Sequence, residues 1–388
     1  MPAETGFVYA DNAATSFPKP PAVVEMLCAL PQSISLSPGR SAHSFSLQCS
    51  RHIFTARERL AELFGCPDSS RIAFTANVTE ALNTAIFGLC GEVLRPGDHV
   101  ITTCLEHNSV MRPLRFLEQT ANISVSMLPL AADGQVAVDA LPGLLRPNTR
   151  LVVVNHVSNV TGAVLDLAAV GRHKGNALLL VDAAQSAGVF PLQVEEMNID
   201  ILAFTGHKAL FGPPGTGGFY LRPGITLRPL TMGGTGSNSE REIQPDFMPD
   251  RYESGTPNTL GVAALGAGVE FVLATGPEDI RAHELRLCRL FLDGLRSMPH
   301  VTVFGPDEGG DRAAVVSLRV RGRSESEVAR ILDRDFHIMV RAGLHCAPAA
   351  HAAAGTFPAG TVRFSFGYFN TAADVEACLA ALVTFRTP

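Results

Sequence analysis

Several features are scarce in this chain of 388 residues. Asp182 and Glu270 break the apolar stretches well short of the ~20 residues a membrane-spanning helix needs, so no span is expected. There is no basic block, and 31 Lys+Arg against 37 Asp+Glu gives a net charge of −6, which makes nucleic acid a poor partner. Any small anion must be held by local cations. The eight cysteines (28, 49, 66, 90, 104, 288, 346 and 378) include no Cys-x-x-Cys pair. A chain this long and apolar does not need disulfides, so the pattern predicts a cytoplasmic protein with mostly buried thiols. The opening Met-Pro-Ala-Glu-Thr-Gly lacks a basic flank and an apolar run, so no signal peptide is expected. Repeats and low-complexity tracts are also lacking.

What is present is apolar content. Hydrophobic residues make up 46% of the chain, which excludes disorder and allows two domains around large cores. Short apolar runs at 99–103, 124–128, 151–155, 177–181, 201–205 and 217–221 read as strands, several of them apolar throughout, as suits strands covered on both faces. Helical patterns lie between them. One spans 47–64, with Gly65 as a C-cap. Another spans 77–89, with Asn77 as N-cap and Glu80 at the third helical position. The alternation predicts an α/β fold with a mainly parallel sheet. Beyond Pro257 the pattern changes. Residues 259–298 read as helix broken near Gly276-Pro277, and strands at 313–320 and 361–366 flank a helix at 325–333, before a closing helix at 374–385. This α+β module sets a domain boundary near 255–262.

Chemistry concentrates at two strand ends. The run 177–181 ends in Asp182-Ala-Ala-Gln185, and the run 201–205 ends in Thr205-Gly-His-Lys208. Ligands gather at the carboxyl ends of strands in open α/β sheets. A lysine and an aspartate placed there suit pyridoxal phosphate (PLP): the amine condenses with the cofactor aldehyde and the carboxylate pairs with the protonated ring nitrogen. Gln185 can donate to the ring hydroxyl oxygen, and His207 and Thr205 to a phosphate. The Asn77-Val-Thr79 corner opens a helix whose free N–H groups suit an anion. His107, after a strand, can stack on the ring.

Ten motifs then stand in an order that is similar to a known family. They are Tyr9-Ala-Asp-Asn-Ala-Ala-Thr15, Pro38-Gly-Arg-Ser-Ala-His43, Phe74-Thr-Ala-Asn-Val-Thr-Glu80, Glu106-His107, Ser158-Asn-Val-Thr-Gly162, Asp182-Ala-Ala-Gln185, Thr205-Gly-His-Lys208, Glu253-Ser-Gly-Thr-Pro-Asn258, Arg341-Ala-Gly-Leu-His-Cys346 and Val362-Arg363. Nearly end to end, the chain resembles the class V, fold-type I PLP enzymes, and within them the cysteine desulfurase / selenocysteine lyase family. That resemblance implies a large PLP-binding domain at 16–257, with a mainly parallel seven-stranded sheet flanked by helices. It implies a smaller α+β domain at 258–388 that carries the catalytic cysteine, and an N-terminal segment, 1–15, packed near the active site.

The resemblance also implies roles. Lys208 carries the cofactor and moves the substrate α-proton, His107 stacks on the ring, and Cys346 takes the sulfur as a persulfide. Asp182 binds the ring nitrogen, and Gln185 and Asn159 sit at the ring hydroxyl. The phosphate site is Asn77, Val78, Thr79, Thr205 and His207, with Thr256 reaching the cofactor of a neighbouring subunit, hence a homodimer. Arg363 clamps the substrate carboxylate, with Asn12, His43, Asn159 and Arg341 as further substrate-binding residues. A thiol needs a neighbouring base or cation to ionise readily, and His345 and Arg341 stand near Cys346 in sequence. The connection from Cys346 to the Val362-Arg363 strand is short, like that of members with a fairly rigid cysteine loop.

Val78, Asn77 and Leu344 depart from the common pattern, removing a side-chain phosphate contact, a frequent glycine and a frequent histidine. The implied activity is conversion of L-cysteine to L-alanine. The persulfide then passes to an acceptor for iron–sulfur cluster assembly, thiolation or selenium metabolism. Release of selenium from L-selenocysteine, class V transamination and a non-catalytic scaffold are the alternatives. A metal at His345, Cys346 and His351 is not expected, since no fourth ligand stands nearby.

Overall fold

The computed structural model describes residues 6–33, 43–306 and 311–385. Its largest layer is a seven-stranded sheet in the order Ile72–Thr75, Gly217–Leu221, Ile201–Thr205, Leu178–Asp182, Thr149–Asn155, His99–Thr103, Ser124–Leu128. Gly217–Leu221 runs antiparallel to both neighbours, and the remaining pairings are parallel. The apolar runs reflect burial on both faces. Leu179, Val181, Leu202 and Phe204 point into one core with Phe64 and Leu265, while Leu180, Ile201 and Ala203 point into another with Leu82, Ile86 and Phe219. Apolar patterning does not pick out Ile72–Thr75, the seventh strand. The parallel strands end together, with Asn155, Asp182 and Ala203 in register, so the residues following them share one edge of the sheet.

Helices cover this sheet, and their starts are well capped. Ser44–Leu63 begins at His43, whose Nδ1 accepts the Ser46 N–H at 3.1 Å. Val78–Gly88 begins at Asn77, whose Oδ1 accepts the Glu80 N–H at 3.0 Å, while Glu80 Oε2 accepts the Ala76 N–H at 2.7 Å. Gly217 brings a strand against this corner: a Cβ there would lie 2.8 Å from Asn77 Cα.

A second, antiparallel sheet has the order Arg341–Gly343, Thr361–Ser365, Val315–Val320, Val301–Phe304. Helices Pro277–Leu295, Glu325–Phe336 and Ala372–Val383 pack on it around Phe291, Leu318, Leu332, Phe364 and Leu382. The N-terminal strand Val8–Tyr9 pairs in parallel with Ile338–Met339, and Ala10 enters this second core. Packing departs from the sequence reading at the 258 boundary. Helix Thr259–Thr275 places Val262, Leu265, Val269 and Val272 in the first core. The cores divide within the next helix, where Ile280 belongs to the first and Leu287 and Phe291 to the second. Among the described residues no single helix is long and apolar enough to cross a membrane.

Candidate active site

Two strand ends and the N-terminal segment position Lys208. Its strand, Ile201–Thr205, ends three residues before it, and the segment around Ser16 grips the peptide carbonyls of the turn. The Ser16 N–H, Thr15 Oγ1 and Lys19 Nζ donate to His207 O at 3.0, 3.0 and 2.9 Å, and Ser16 Oγ donates to Lys208 O at 2.7 Å. Sequence reasoning missed Ser16 and Lys19. Lys208 opens onto a cavity shared with Asn12, Ser16, Gln185, Glu284 and Gly367. Burial pulls its ammonium down to about 8, with Asp182 opposing and Arg363 and Arg341 assisting the shift.

Asp182 closes its strand and is 5% exposed. Its Oδ1 accepts the Ala184 N–H at 2.9 Å, and among the described residues it makes no ion pair. Burial pushes its carboxyl upward, against the Ala184 N–H and Lys208. A buried carboxylate in this state needs a cation, and a protonated pyridine nitrogen supplies one. Gln185 Nε2 donates to Ala13 O at 2.9 Å, leaving its second amide hydrogen for a ring oxygen.

On the other flank, His107 caps helix Asn108–Thr120. Its Nδ1 accepts the Ser109 N–H at 3.1 Å, so the neutral ring carries its proton on Nε2. Burial, then Lys208, Arg112 and Arg363, lowers His107 to about 4, which keeps it neutral. Ser109 Oγ lies 2.8 Å from both His107 Nδ1 and Thr79 Oγ1, linking His107 to the start of helix Val78–Gly88. Only three-dimensional structure reveals Ser109 as that link. His207 is lowered to about 4 by burial and by Lys208 and Lys19, so it would meet a phosphate as a neutral donor. Thr205 is buried, and its hydroxyl faces Thr216 O at 3.5 Å. Asn77 and Thr79 are exposed and Val78 half-buried at the start of their helix, whose free N–H groups suit a phosphate.

Elsewhere in the site, Arg363 Nη1 donates to Asn159 O at 3.0 Å and Nη2 to Asp11 Oδ1 at 2.8 Å. Arg341 Nε donates to the same carboxylate at 3.0 Å. Asp11 was not among the expected site residues, although its neighbour Asn12 was. Asn12 lines the Lys208 cavity, but its amide is engaged by the fold: Nδ2 faces Tyr9 O, Ser365 O and Asn370 Oδ1, and Oδ1 accepts the Phe17 N–H. Asn159 Nδ2 donates to His345 O at 2.8 Å, tying the Arg363 partner to the Cys346 loop.

Cys346 is exposed, as is Cys28, and both it and His345 have positive φ, 56° and 48°. The Asn108 N–H donates to Cys346 O at 2.8 Å, fastening the thiol-bearing loop beside His107. Burial pushes other thiols up, Cys104 and Cys288 to about 11. The structure corrects the expectation that His345 assists the thiol. Its Nε2 lies 3.2 Å from Arg341 O, a carbonyl that only accepts, and its Nδ1 lies 3.3 Å from His351 Nε2. His345 therefore donates from Nε2 and accepts from His351, whose Nδ1 in turn accepts the Thr356 hydroxyl at 2.7 Å. Both rings are buried, and burial lowers them to about 3 and about 4. His345 is thus a neutral strut. Among the described residues no cluster suits a metal.

His43 and Thr256 are exposed, and neither lines the Lys208 cavity. Residues 38–42 of the motif ending at His43 lie outside the described residues.

This geometry has counterparts among known proteins. The class-V aminotransferase profile matches residues 8–378. A probable cysteine desulfurase of Synechocystis sp. is 32% identical over 97% of this chain and 90% of its own length. The cysteine desulfurase CsdA of Escherichia coli is 33% identical over 97% of this chain and 93% of its own. The apo structure of a cysteine desulfurase from Thermococcus onnurineus superposes with a TM-score of 0.91 at 32% identity, covering 97% of this chain and 94% of that one. A neutral histidine, a buried aspartate without an ion pair and a lysine amine held near neutrality fit the cofactor of that family. The chain belongs to the class-V aminotransferase family of PLP-dependent enzymes, alongside its cysteine desulfurases.

Proposed function

We propose that this protein is a PLP-dependent cysteine desulfurase that converts L-cysteine to L-alanine and leaves a persulfide on Cys346. The observation that carries the reading is an exposed thiol on a loop fastened by the Asn108–Cys346 hydrogen bond to the helix that begins at His107. Bound PLP supplies an electron sink conjugated to the substrate α-carbon. Lys208, its amine close to neutrality, is suited to moving the α-proton. Arg363 and Arg341 are suited to orienting the carboxylate. Cys346 Sγ attacks the substrate sulfur: an S–S bond forms, the C–S bond breaks, and the electron pair left on carbon takes up a proton to give alanine. Asp182 holds the ring nitrogen, Gln185 and Asn159 the ring hydroxyl, and Asn77, Val78, Thr79, Thr205 and His207 the phosphate.

The exposed Thr256 supports a homodimer in which it reaches the partner's phosphate site. The persulfide would pass to an acceptor serving iron–sulfur cluster assembly, thiolation or selenium metabolism in the cytoplasm. Incubation with L-cysteine should yield alanine and one added sulfur on Cys346 by mass spectrometry. Cys346→Ala should retain PLP and lose alanine formation; alanine release that survives the change refutes the persulfide route. L-selenocysteine turnover that survives it would mark the site as a selenocysteine lyase.

A further inference from the structure

We propose that Ser109 is a positioning residue that couples an anion at Thr79 to the hydrogen bonding of His107, because its single hydroxyl proton can serve only one of the two. This rests on the reading of Asn77, Val78 and Thr79 as part of the phosphate site, and deepens it. Ser109 is 5% exposed, in the first turn of helix Asn108–Thr120. Its Oγ lies 2.8 Å from His107 Nδ1 and 2.8 Å from Thr79 Oγ1. Its N–H donates to the same Nδ1 at 3.1 Å. Burial holds the ring neutral with its proton on Nε2, so Nδ1 offers only a lone pair. Thr79 is exposed at the start of helix Val78–Gly88, where the first N–H groups have no intrahelical partner.

A serine hydroxyl has one proton and two lone pairs. Two arrangements therefore satisfy these distances. In the first, Thr79 donates to Ser109 Oγ and Ser109 donates to His107 Nδ1, which then accepts two hydrogen bonds. In the second, Ser109 donates to Thr79 Oγ1, Thr79 donates outward, and Nδ1 keeps only the Ser109 N–H. Without an anion the first prevails, since an imidazole nitrogen is a stronger acceptor than a hydroxyl oxygen. An anion at the helix start reverses the chain. A charge-assisted hydrogen bond from Thr79 is roughly twice as strong as a neutral one and outweighs the bond that Nδ1 gives up. No proton changes owner; two O–H bonds turn. Each donor on Nδ1 stabilises the neutral imidazole, so losing one lets His107 hold a second proton more readily. Filling the phosphate site thus makes the histidine more basic, beyond what the field of the anion does.

The test follows His107 Nδ1 by nitrogen NMR in the full chain, cofactor-free, with and without saturating inorganic phosphate. Phosphate should move the wild-type signal downfield, as an acceptor nitrogen moves when it loses a donor. Ser109→Ala should start near that downfield position and Thr79→Val near the upfield one, and phosphate should shift neither as it shifts the wild type. A Ser109→Ala signal that responds as the wild type does overturns the relay, because the field of the anion alone then accounts for the change. Should Ser109→Ala not fold, Thr79→Val supplies the same control, and a response equal to that of the wild type overturns the relay. Calorimetry of phosphate binding separates this from the phosphate reading. Thr79→Val should weaken phosphate about tenfold or more, through loss of a charge-assisted bond. Unchanged affinity removes Thr79 from the phosphate site, and the proposal falls with it. Weakened affinity beside a wild-type signal that phosphate does not move leaves the phosphate site standing and overturns the role of Ser109 alone.

Discussion

A lysine must lose its proton before it can attack an aldehyde, and the environment of Lys208 makes that loss easy. An ordinary lysine near 10.5 is neutral in about one molecule in three thousand at neutral pH, whereas Lys208, held at about 8, is neutral in about one in ten. The gain is about 300-fold in reactive amine. Burial is the main cause, Arg363 and Arg341 add to it, and Asp182 works against it by favouring the ammonium. The assay mixes cofactor-free protein with excess PLP and follows condensation by absorbance. The capture rate should rise about tenfold per unit below about pH 7 and level off above about pH 8. Free lysine in the same buffers gives the baseline of an unperturbed amine. In Asp182→Asn the opposing charge is gone, so the plateau should begin at lower pH than in the wild type. A rate that climbs steadily to about pH 10, like that of free lysine, would refute the reasoning, as would a plateau displaced upward in Asp182→Asn.

Other consequences follow from buried polar pairs away from the cofactor. Arg57 donates to Ile72 O and pairs with Glu253 at 2.7 Å, while Glu253 also accepts the Phe74 N–H at 2.7 Å. Arg57→Met would leave that carboxylate without its cation and should lower stability by roughly 3 kcal/mol in urea unfolding; a loss under about 1 kcal/mol would make the pair incidental. His351→Leu removes the donor to His345 Nδ1 and the acceptor for Thr356. It should cost about 1–3 kcal/mol and reduce alanine formation while PLP content holds, because the strut supports the Cys346 loop. Wild-type turnover in His351→Leu would deny the strut any part in placing the thiol.

The parts of the fold legible in sequence are those where burial is one-sided in its demands. Strands Leu178–Asp182 and Ile201–Thr205 lie inside the sheet with both faces covered, so their apolar runs stop only where the chain reaches the ligand edge. That is why Asp182 and Lys208 can be read from linear order. Ile72–Thr75 escapes because it is four residues long at the sheet edge and runs straight into the Asn77-capped helix start. The placement of helix Thr259–Thr275 escapes for a different reason. It is apolar almost all round, so its pattern carries no preferred face, and tertiary contact, as with Ser44–Leu63, assigns it to the first core.

The site divides along a similar line. Residues proposed to act through identity and position on one element, such as Lys208, His107 and Cys346, are visible in their motifs. Residues that act through pairing across the chain are not. Asp11, Arg341 and Arg363 come from three separate strands or strand ends, and nothing local in any of them states that they meet. One physical clue was available: two arginines assigned to one pocket, one of them on a buried strand, require an acid nearby, and the motif that contains Asn12 offers Asp11 one residue before it. His345 shows the reverse error. Adjacency to Cys346 suggests a base, but the imidazole meets Arg341 O and His351 instead.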